Sequence, residues 1–428
     1  MGKYISLGEY NKIYKYIWIY LVIRFVTLFI FSRALVFDQL KSDLLKKPDS
    51  PFISFQFNYA AFIIISVLIK IIEKIRKNKE STIIFNKDEK ELIFNKQDIE
   101  TEYGLDRSEF NLLVINLFLV VITDLLDEST SKFQCSILSY WMFEMLFFEL
   151  FYYRLLKSNI YKHHIFSFIF ILSSCSLIKT IVIILNFAND TDDVQIFNYG
   201  KWLIPVGFIY NFLYMIFKAY TFCNEKYYLE KKIISITDYM LLYGIIGFSS
   251  SLICALISTL VPCGDNTIPE LSKTVCTFKV NGDIYFFDNY KLYFQELSSE
   301  LLGVKLLFII IQSTLYYVST YYSYVIYKKL SPIYHICMYR FNYLILDILG
   351  FINEMINDDN IKNIGITISI LNILILFFYM FGSIVYLEFI ELNFCNLNFY
   401  TKRNIKERSK RDIRISLGNM SVNCEIEE

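Results

Sequence analysis

Between Lys201 and Cys263 the chain carries two apolar runs, Trp202 to Cys223 and Ile236 to Val261, joined only by the segment NEKYYLEKKII from Asn224 to Ile234. A helix rises 1.5 Å per residue, so about twenty apolar residues cross the roughly 30 Å of bilayer hydrocarbon. Both runs are therefore expected to span a membrane. Their connection is too short for a domain and carries Lys226, Lys231 and Lys232. It reads as a tight antiparallel turn on the cytosolic side, which sets the sidedness of everything before and after it.

The same kind of run recurs along the chain. Ten are counted: Tyr16 to Phe37, Phe52 to Ile72, Asn111 to Leu126, Phe133 to Leu156, Ile165 to Phe187, Trp202 to Cys223, Ile236 to Val261, Leu302 to Tyr327, Ile333 to Ile352 and Ile364 to Phe389. Hydrophobic residues make up 55% of the chain and aromatic ones 18%, more than a soluble globule of this length ordinarily carries. The expected fold class is an all-α polytopic membrane protein. With only 14 Gly and 6 Pro, close helix approach has to rely on Ser, Ala and Thr. Met1 to Lys15 lacks a short apolar core ending in small residues, so the first span is expected to act as the insertion signal.

Net charge is zero, with 42 basic and 42 acidic residues, but the signs are segregated. Lys3, Lys12 and Lys15, the long segment Glu73 to Glu109, Lys157 and Lys162, the 226–232 turn, Lys328 and Lys329, and the tail from Lys402 form a basic set. Asp190, Asp192 and Asp193, and then Asp358 and Asp359, mark the alternate connections. The basic set is cytosolic by the positive-inside rule, which places both termini inside and makes the span count even. Lys41, Lys46 and Lys47 after the first span go against the pattern. The segment Glu73 to Glu109 contains IIFNK and LIFNK nine residues apart and reads as a charged linker with a small hairpin.

No CxxC or Cys/His spacing, Gly-rich phosphate loop or nucleophile with a positioned base occurs. No metal, cofactor, nucleic-acid partner or enzymatic activity is therefore expected. His163, His164 and His335 fall at expected helix ends with no ligand spacing around them. Cys263 and Cys276 bracket a polar segment of the loop 262–301 and pair as a disulfide if that loop faces an oxidising compartment. Asn189-Asp190-Thr191 is an N-glycosylation sequon on the expected non-cytosolic side.

The informative residues are ionisable and polar groups inside the spans, because charge at membrane depth is kept where it is paired or faces a cavity. Asn211, Tyr214 and Lys218 share one face of the sixth span, a stripe suited to an anionic solute or, alternatively, a snorkelling lysine. Lys179 lies deep in the fifth span, with Glu144 or Glu149 of the fourth as its structural partner. Gln312, Tyr316, Ser319 and Ser323 line one face of the eighth, Arg340 and Asp347 one face of the ninth, and Arg24 marks the first. Polar groups on so many spans favour an internal polar chamber. The candidate binding set is Lys179, Lys218 and Arg340 for an anionic group, with Asn211, Tyr214, Gln312 and Tyr316 for hydrogen bonding or stacking.

KYYLEKKIISITDYMLLYGIIGF (Lys226 to Phe248), a basic turn leading into a span with Gly244 and Gly247, resembles the drug/metabolite transporter superfamily, in its nucleotide-sugar-transporter-like branch, which uses small residues for helix contact at those places. LKSNIYKHHIFSFIFIL (Leu156 to Leu172), Pro51-Phe52, Asp124 and the tail Phe389 to Arg408 also resemble it. Met142 to Leu146, followed by Phe147 and Phe148, departs from the family's fourth span, and Ile236-Thr237-Asp238 from its seventh. The resemblance implies two inverted five-helix halves, 1–187 and 202–390. They are joined by 188–201 and followed by a basic tail, 391–428, with solute bound between them at the midplane. It implies a secondary carrier for a polar organic solute, in an endomembrane or the plasma membrane. A seven-span receptor or channel of chemosensory type, and a transporter-derived scaffold that no longer transports, are the competing readings.

Overall fold

The computed structural model describes residues 17–24, 51–85, 107–132, 143–156, 160–188, 203–230, 234–262, 278–280, 283–285, 289–297, 302–329, 332–357 and 363–388, with single positions at 15, 26, 390, 401 and 404. Nearly all of them are helical. The elements are α1 (residues 17–24), α2 (Pro51–Phe85), α3 (Arg107–Lys132), α4 (Phe143–Leu156), α5 (Lys162–Ala188), α6 (Leu203–Glu230) and α7 (Ile236–Leu260). A small hairpin follows, β1 (Phe278–Val280) with β2 (Asp283–Tyr285), then α8 (Tyr290–Leu297), α9 (Leu302–Lys329), α10 (Pro332–Asn357) and α11 (Asn363–Tyr386).

Four stretches among the described residues are long and apolar enough to cross a membrane: Phe52–Arg76, Lys162–Leu185, Ile236–Leu260 and Ile366–Tyr386. They coincide with the second, fifth, seventh and tenth expected spans. The chain is an integral membrane protein. The distribution of side chains agrees, because Ile64, Leu68 and Ile72 of α2 and Ile165, Ile169 and Leu177 of α5 point outward, whereas Asn58, Ser66, Asn116, Glu144, Asn211 and Glu225 are buried. Apolar residues outside and polar groups inside is the arrangement that lipid selects.

Local sequence sets the helix ends. Pro51 and Pro332 stand at the first positions of α2 and α10, where the missing N–H is unneeded. Ser235 caps α7, its Oγ accepting from the Asp238 amide at 3.0 Å, and Lys70 of α2 pairs with Asp238. Lys328 and Lys329 end α9, where cations complement the helix dipole.

The bundle is organised by helix pairs. α2 runs along α7, α5 along α11, and α4 along α6. In the first pair Lys70 meets Asp238, the residues around Tyr59 and Phe62 meet Gly244 and Gly247, and Gln56 donates to the Ser251 carbonyl at 3.1 Å. One chain rises as the other falls, so the pair is antiparallel. The second pair is antiparallel as well, since His164 stacks on Tyr386, Ile171 meets Gly382, and Cys175 reaches the Ile375 carbonyl. α4 and α6 run parallel, with Phe143 against Phe212 and Phe151 against Tyr220. α1 and α10 do likewise, with Tyr20 against His335 and Arg24 over Tyr339.

Two short strands and α8 stand between α7 and α9 in the chain. Phe278, Lys279 and Val280 pair with Tyr285, Ile284 and Asp283, and only Asn281-Gly282, a strong two-residue hairpin signal, stands between the strands in sequence. α8 docks Tyr293 on Phe57, and Tyr290 donates to Gln56 Oε1 at 2.6 Å.

Three expectations are corrected. α6 does not stop at Cys223 but continues to Glu230, so Lys226 is no part of an exposed turn. It is buried and donates to the Tyr327 carbonyl at 2.9 Å while pairing with Glu230 at 2.8 Å. α2 runs on to Phe85, turning the first part of the charged linker, including the IIF of its first repeat, into helix. α3 extends from Arg107 to Lys132, beyond both ends of the expected span.

Gly247 and Gly382 let the antiparallel pairs touch, because an added Cβ would stand 2.4 Å from the Tyr59 ring in one case and 2.4 Å from Ile171 in the other. Gly247→Ala is expected to destabilise the detergent-solubilised protein by about 1–3 kcal/mol, read as a lower melting temperature. Tyr59→Leu in the same chain should recover part of the loss. Gly382→Ala should add to Gly247→Ala without interaction, since the two contacts share no residues.

Candidate functional site

Glu144 opens α4 and is almost fully buried, at 3% exposure. A carboxylate there persists only with charged partners. Two converge on it: Arg340 Nη2 of α10 donates to Oε2 at 3.2 Å, and Lys218 Nζ of α6 lies 3.6 Å from Oε1. Both basic residues share aromatic neighbours. Lys218 Nζ sits 5.3 Å from the Tyr214 ring centre, 5.9 Å from Phe222 and 6.0 Å from Tyr339. Arg340 and Arg24 place their guanidinium carbons 5.7 and 4.8 Å from the same Tyr339 ring. Three cations thus gather around the Tyr339 ring, two of them paired with Glu144, each within range of favourable cation–π attraction.

A second charged cluster lies on α3 and at the far end of α6. Glu225 is seven residues, hence about 10 Å, along the helix from Lys218. Its Oε1 accepts from Tyr324 at 3.1 Å and from Tyr239 at 3.5 Å. Asp124 of α3 accepts from Tyr243. Tyrosine suits these positions, since its ring fills apolar space while its hydroxyl satisfies a buried carboxylate.

Between the clusters lies a cavity of about 140 Å³, lined by Arg24, Lys218, Glu144, Asp124, Glu225 and a tyrosine-rich wall that includes Tyr316. Along α9 its lining runs from Tyr316 to Tyr327, about 16 Å of helix. Charges of both signs therefore face one space.

The candidate residues separate clearly. Lys218 and Tyr316 line the cavity. Arg340 and Tyr214 stand behind that lining, one holding Glu144 and the other carrying the Lys218 ammonium on its ring. Asn211 is buried one turn from Tyr214, and Gln312 is one turn from Tyr316, and neither is in the wall. Lys179 is not brought to this site. It sits half-buried on α5 and makes neither of the ion pairs expected for it, since Glu144 is taken by Arg340 and Lys218, and Glu149 accepts from Tyr386 at 2.5 Å. Cys263, Cys276 and Asn189 lie outside the described residues.

Sequence reasoning missed Asp124, Glu225, Tyr243, His335 and Tyr339 as lining groups. A signal for Glu225 was present, because Lys218, Phe222 and Glu225 fall at i, i+4 and i+7, one helical face. Ending the span at Cys223 hid it. No protein-family model matches the chain, and no curated protein matches it.

Glu144→Gln is expected to leave Lys218 and Arg340 facing one another without their shared counter-charge, costing about 3 kcal/mol or more of stability. Fluorescence-detected size exclusion after graded heating reads this as loss of the monodisperse peak. Adding Arg340→Met should restore part of it, whereas a variant as stable as the parent would show that the triad contributes little.

Proposed function

We propose that this protein is a secondary carrier that moves a small polar solute bearing an anionic group by alternating access. The observation that carries the reading is the cavity inside a lipid-facing bundle, lined by Arg24, Lys218 and Glu144, with Arg340 holding Glu144 from behind the lining. Such groups are costly at membrane depth, and a solute pathway is a principal reason to keep them there. At the Glu144 end Arg24 and Lys218 suit an anionic group, whereas Asp124 and Glu225 put carboxylates in the rest of the wall, and the tyrosine hydroxyls supply hydrogen bonds.

The architecture we propose is ten spans in two inverted five-span halves, in the manner of the drug/metabolite transporter superfamily, with both termini cytosolic. What supports it is the pairing pattern. Numbering α9, α10 and α11 as spans eight to ten, the second span packs antiparallel to the seventh and the fifth antiparallel to the tenth. An exchange of halves by inverted symmetry produces exactly such self-pairs. The same exchange carries the parallel pair of spans four and six into the pair of spans nine and one, which is also parallel. The contact of the third span with the seventh has its counterpart in that of the eighth with the second. Inverted repeats place their site between the halves, where Glu144 of one half meets Lys218 and Arg340 of the other.

The cavity volume narrows the solute. About 140 Å³ is close to the ~150 Å³ of an engineered cavity that holds benzene. It therefore suits a small organic anion or zwitterion better than a nucleotide sugar. The chain has no Gly-rich phosphate loop, so the driving force is assigned to a solute or ion gradient.

The test is counterflow uptake in proteoliposomes with a radiolabelled panel of small carboxylates, amino acids and phosphate esters. One class of small anion or zwitterion should accumulate. Lys218→Gln should reduce that uptake about tenfold or more, the scale of one lost charged hydrogen bond, with a smaller effect on the yield of folded protein. Equal loss of uptake and folded protein would assign Lys218 to packing. No uptake of any class would favour a scaffold derived from a carrier.

A further inference from the structure

At the end of the α5–α11 pair, away from the cavity, three potential metal ligands come together from two parts of the chain 225 residues apart (388 − 163). His163 and His164 lie in the first turn of α5 and Glu388 just past the last turn of α11. One ligand atom from each lies within 4.8 Å of the others. The two imidazoles meet edge to face with ring centres 4.2 Å apart, although neighbouring helical residues usually diverge by about 100°. His163 Nε2 stands 3.4 Å from Glu388 Oε1, the edge length, about 3.3 Å, of a tetrahedron with metal–ligand bonds of roughly 2.0–2.1 Å.

Two further features point to a ligand. His163 is 97% buried, being 3% exposed, and neither of its ring nitrogens makes a hydrogen bond. A buried imidazole is ordinarily satisfied. Glu388 holds the left-handed backbone conformation with φ 62°, unfavourable for a residue with a Cβ, and its carboxylate faces His163. Glu149 is the next carboxylate, its Oε1 lying 3.8 Å from His164 Nδ1 while Tyr386 donates to Oε2 at 2.5 Å. Glu149 also borders a crevice of about 800 Å³ with Tyr161 and Lys162 in its wall.

We infer that His163, His164 and Glu388 form a binding site for one divalent transition ion, Zn²⁺ by preference, with Glu149 at its fourth position. Two imidazoles with carboxylate oxygens are a donor set that suits zinc, the His163–Glu388 separation is that of a tetrahedral edge, and the absence of sulfur in the set disfavours Cu(I). The bound ion would tie the start of α5 to the chain following α11, adding a clasp to one antiparallel pair. This inference does not depend on the carrier reading, and its test does not involve uptake.

Full-length protein in detergent is stripped with a chelator and titrated with Zn²⁺ against a chromophoric competitor, and in parallel with Co²⁺ while its visible absorption is recorded. One equivalent is expected to bind. His163→Gln and Glu388→Gln, which keep approximate size, should each weaken binding about tenfold or more, since even partners of ligands contribute 10–100-fold. Zn²⁺ should raise the melting temperature of the parent and not of the variants, and the metal-free variants should melt with the metal-free parent if they are folded. Binding unchanged in His163→Gln, a Co²⁺ spectrum showing thiolate ligation, or no bound equivalent in the parent would each overturn the assignment.

Discussion

The carboxylate of Glu144 is the interaction on which the arrangement of the bundle depends. It receives a guanidinium from α10 and an ammonium from α6, so one buried charge links three helices. Removing water from such a group is costly and only close partners offset it. The register of α4 against α6 is set at the same level by aromatic packing, Phe147 meeting Phe212 edge to face with ring centres 5.0 Å apart. Tyr339, under Arg24, Lys218 and Arg340, brings α1 into the same cluster. Sliding any of these helices by one turn would separate buried charges by about 5.4 Å.

Farther from that centre, packing solves a different problem. Association in lipid gains little from hydrophobicity and relies on close contact, yet the chain holds only 14 glycines and 34 tyrosines. The antiparallel pairs spend a glycine where a neighbouring side chain comes closest, Gly247 under Tyr59 and Gly382 under Ile171. Elsewhere tyrosine does two jobs, filling space and donating to a buried carboxylate, as Tyr243 does for Asp124, Tyr324 for Glu225 and Tyr386 for Glu149. Phe62 sits among Tyr59, Tyr243, Tyr316 and Tyr317, which couples the α2–α7 pair to α9 beside the cavity.

The parts of this structure that could be read from the chain are those written in local periodicity. The run Ile236 to Val261 corresponds to α7 within one residue, and Leu302 to Tyr327 lies within α9, because a lipid-crossing helix announces itself by an unbroken apolar stretch. Lys218, Arg340 and Tyr316 were legible for the complementary reason, being polar groups at membrane depth. What the pattern hid were charges whose cost is met by distant partners. Glu225 and Lys226 look like the beginning of a turn, yet Tyr324 and the Tyr327 carbonyl hold them inside a continuing helix. Lys179 looked like a partner for Glu144 because both lie deep, but depth does not specify direction around a helix. The His163–His164–Glu388 cluster has no spacing signal, since its carboxylate arrives from the far end of the chain.

The position of Glu144 also bears on how the proposed carrier would move. Glu144 belongs to the first half of the chain, and Lys218 and Arg340 to the second, so these ion pairs cross the boundary that alternating access must open. An anion entering the cavity offers Lys218 and Arg340 a second counter-charge. Any strength it takes from their bonds to Glu144 loosens the tie between the halves. A solute shifts a conformational equilibrium only by the difference in its affinity for the two states. Here that difference has a physical source, because the state in which Glu144 still holds both cations binds the anion less well than the state in which it has released one. Neutral solutes of the same size have no such lever. On this reading, charge on the solute is a requirement of the transport step as well as of recognition.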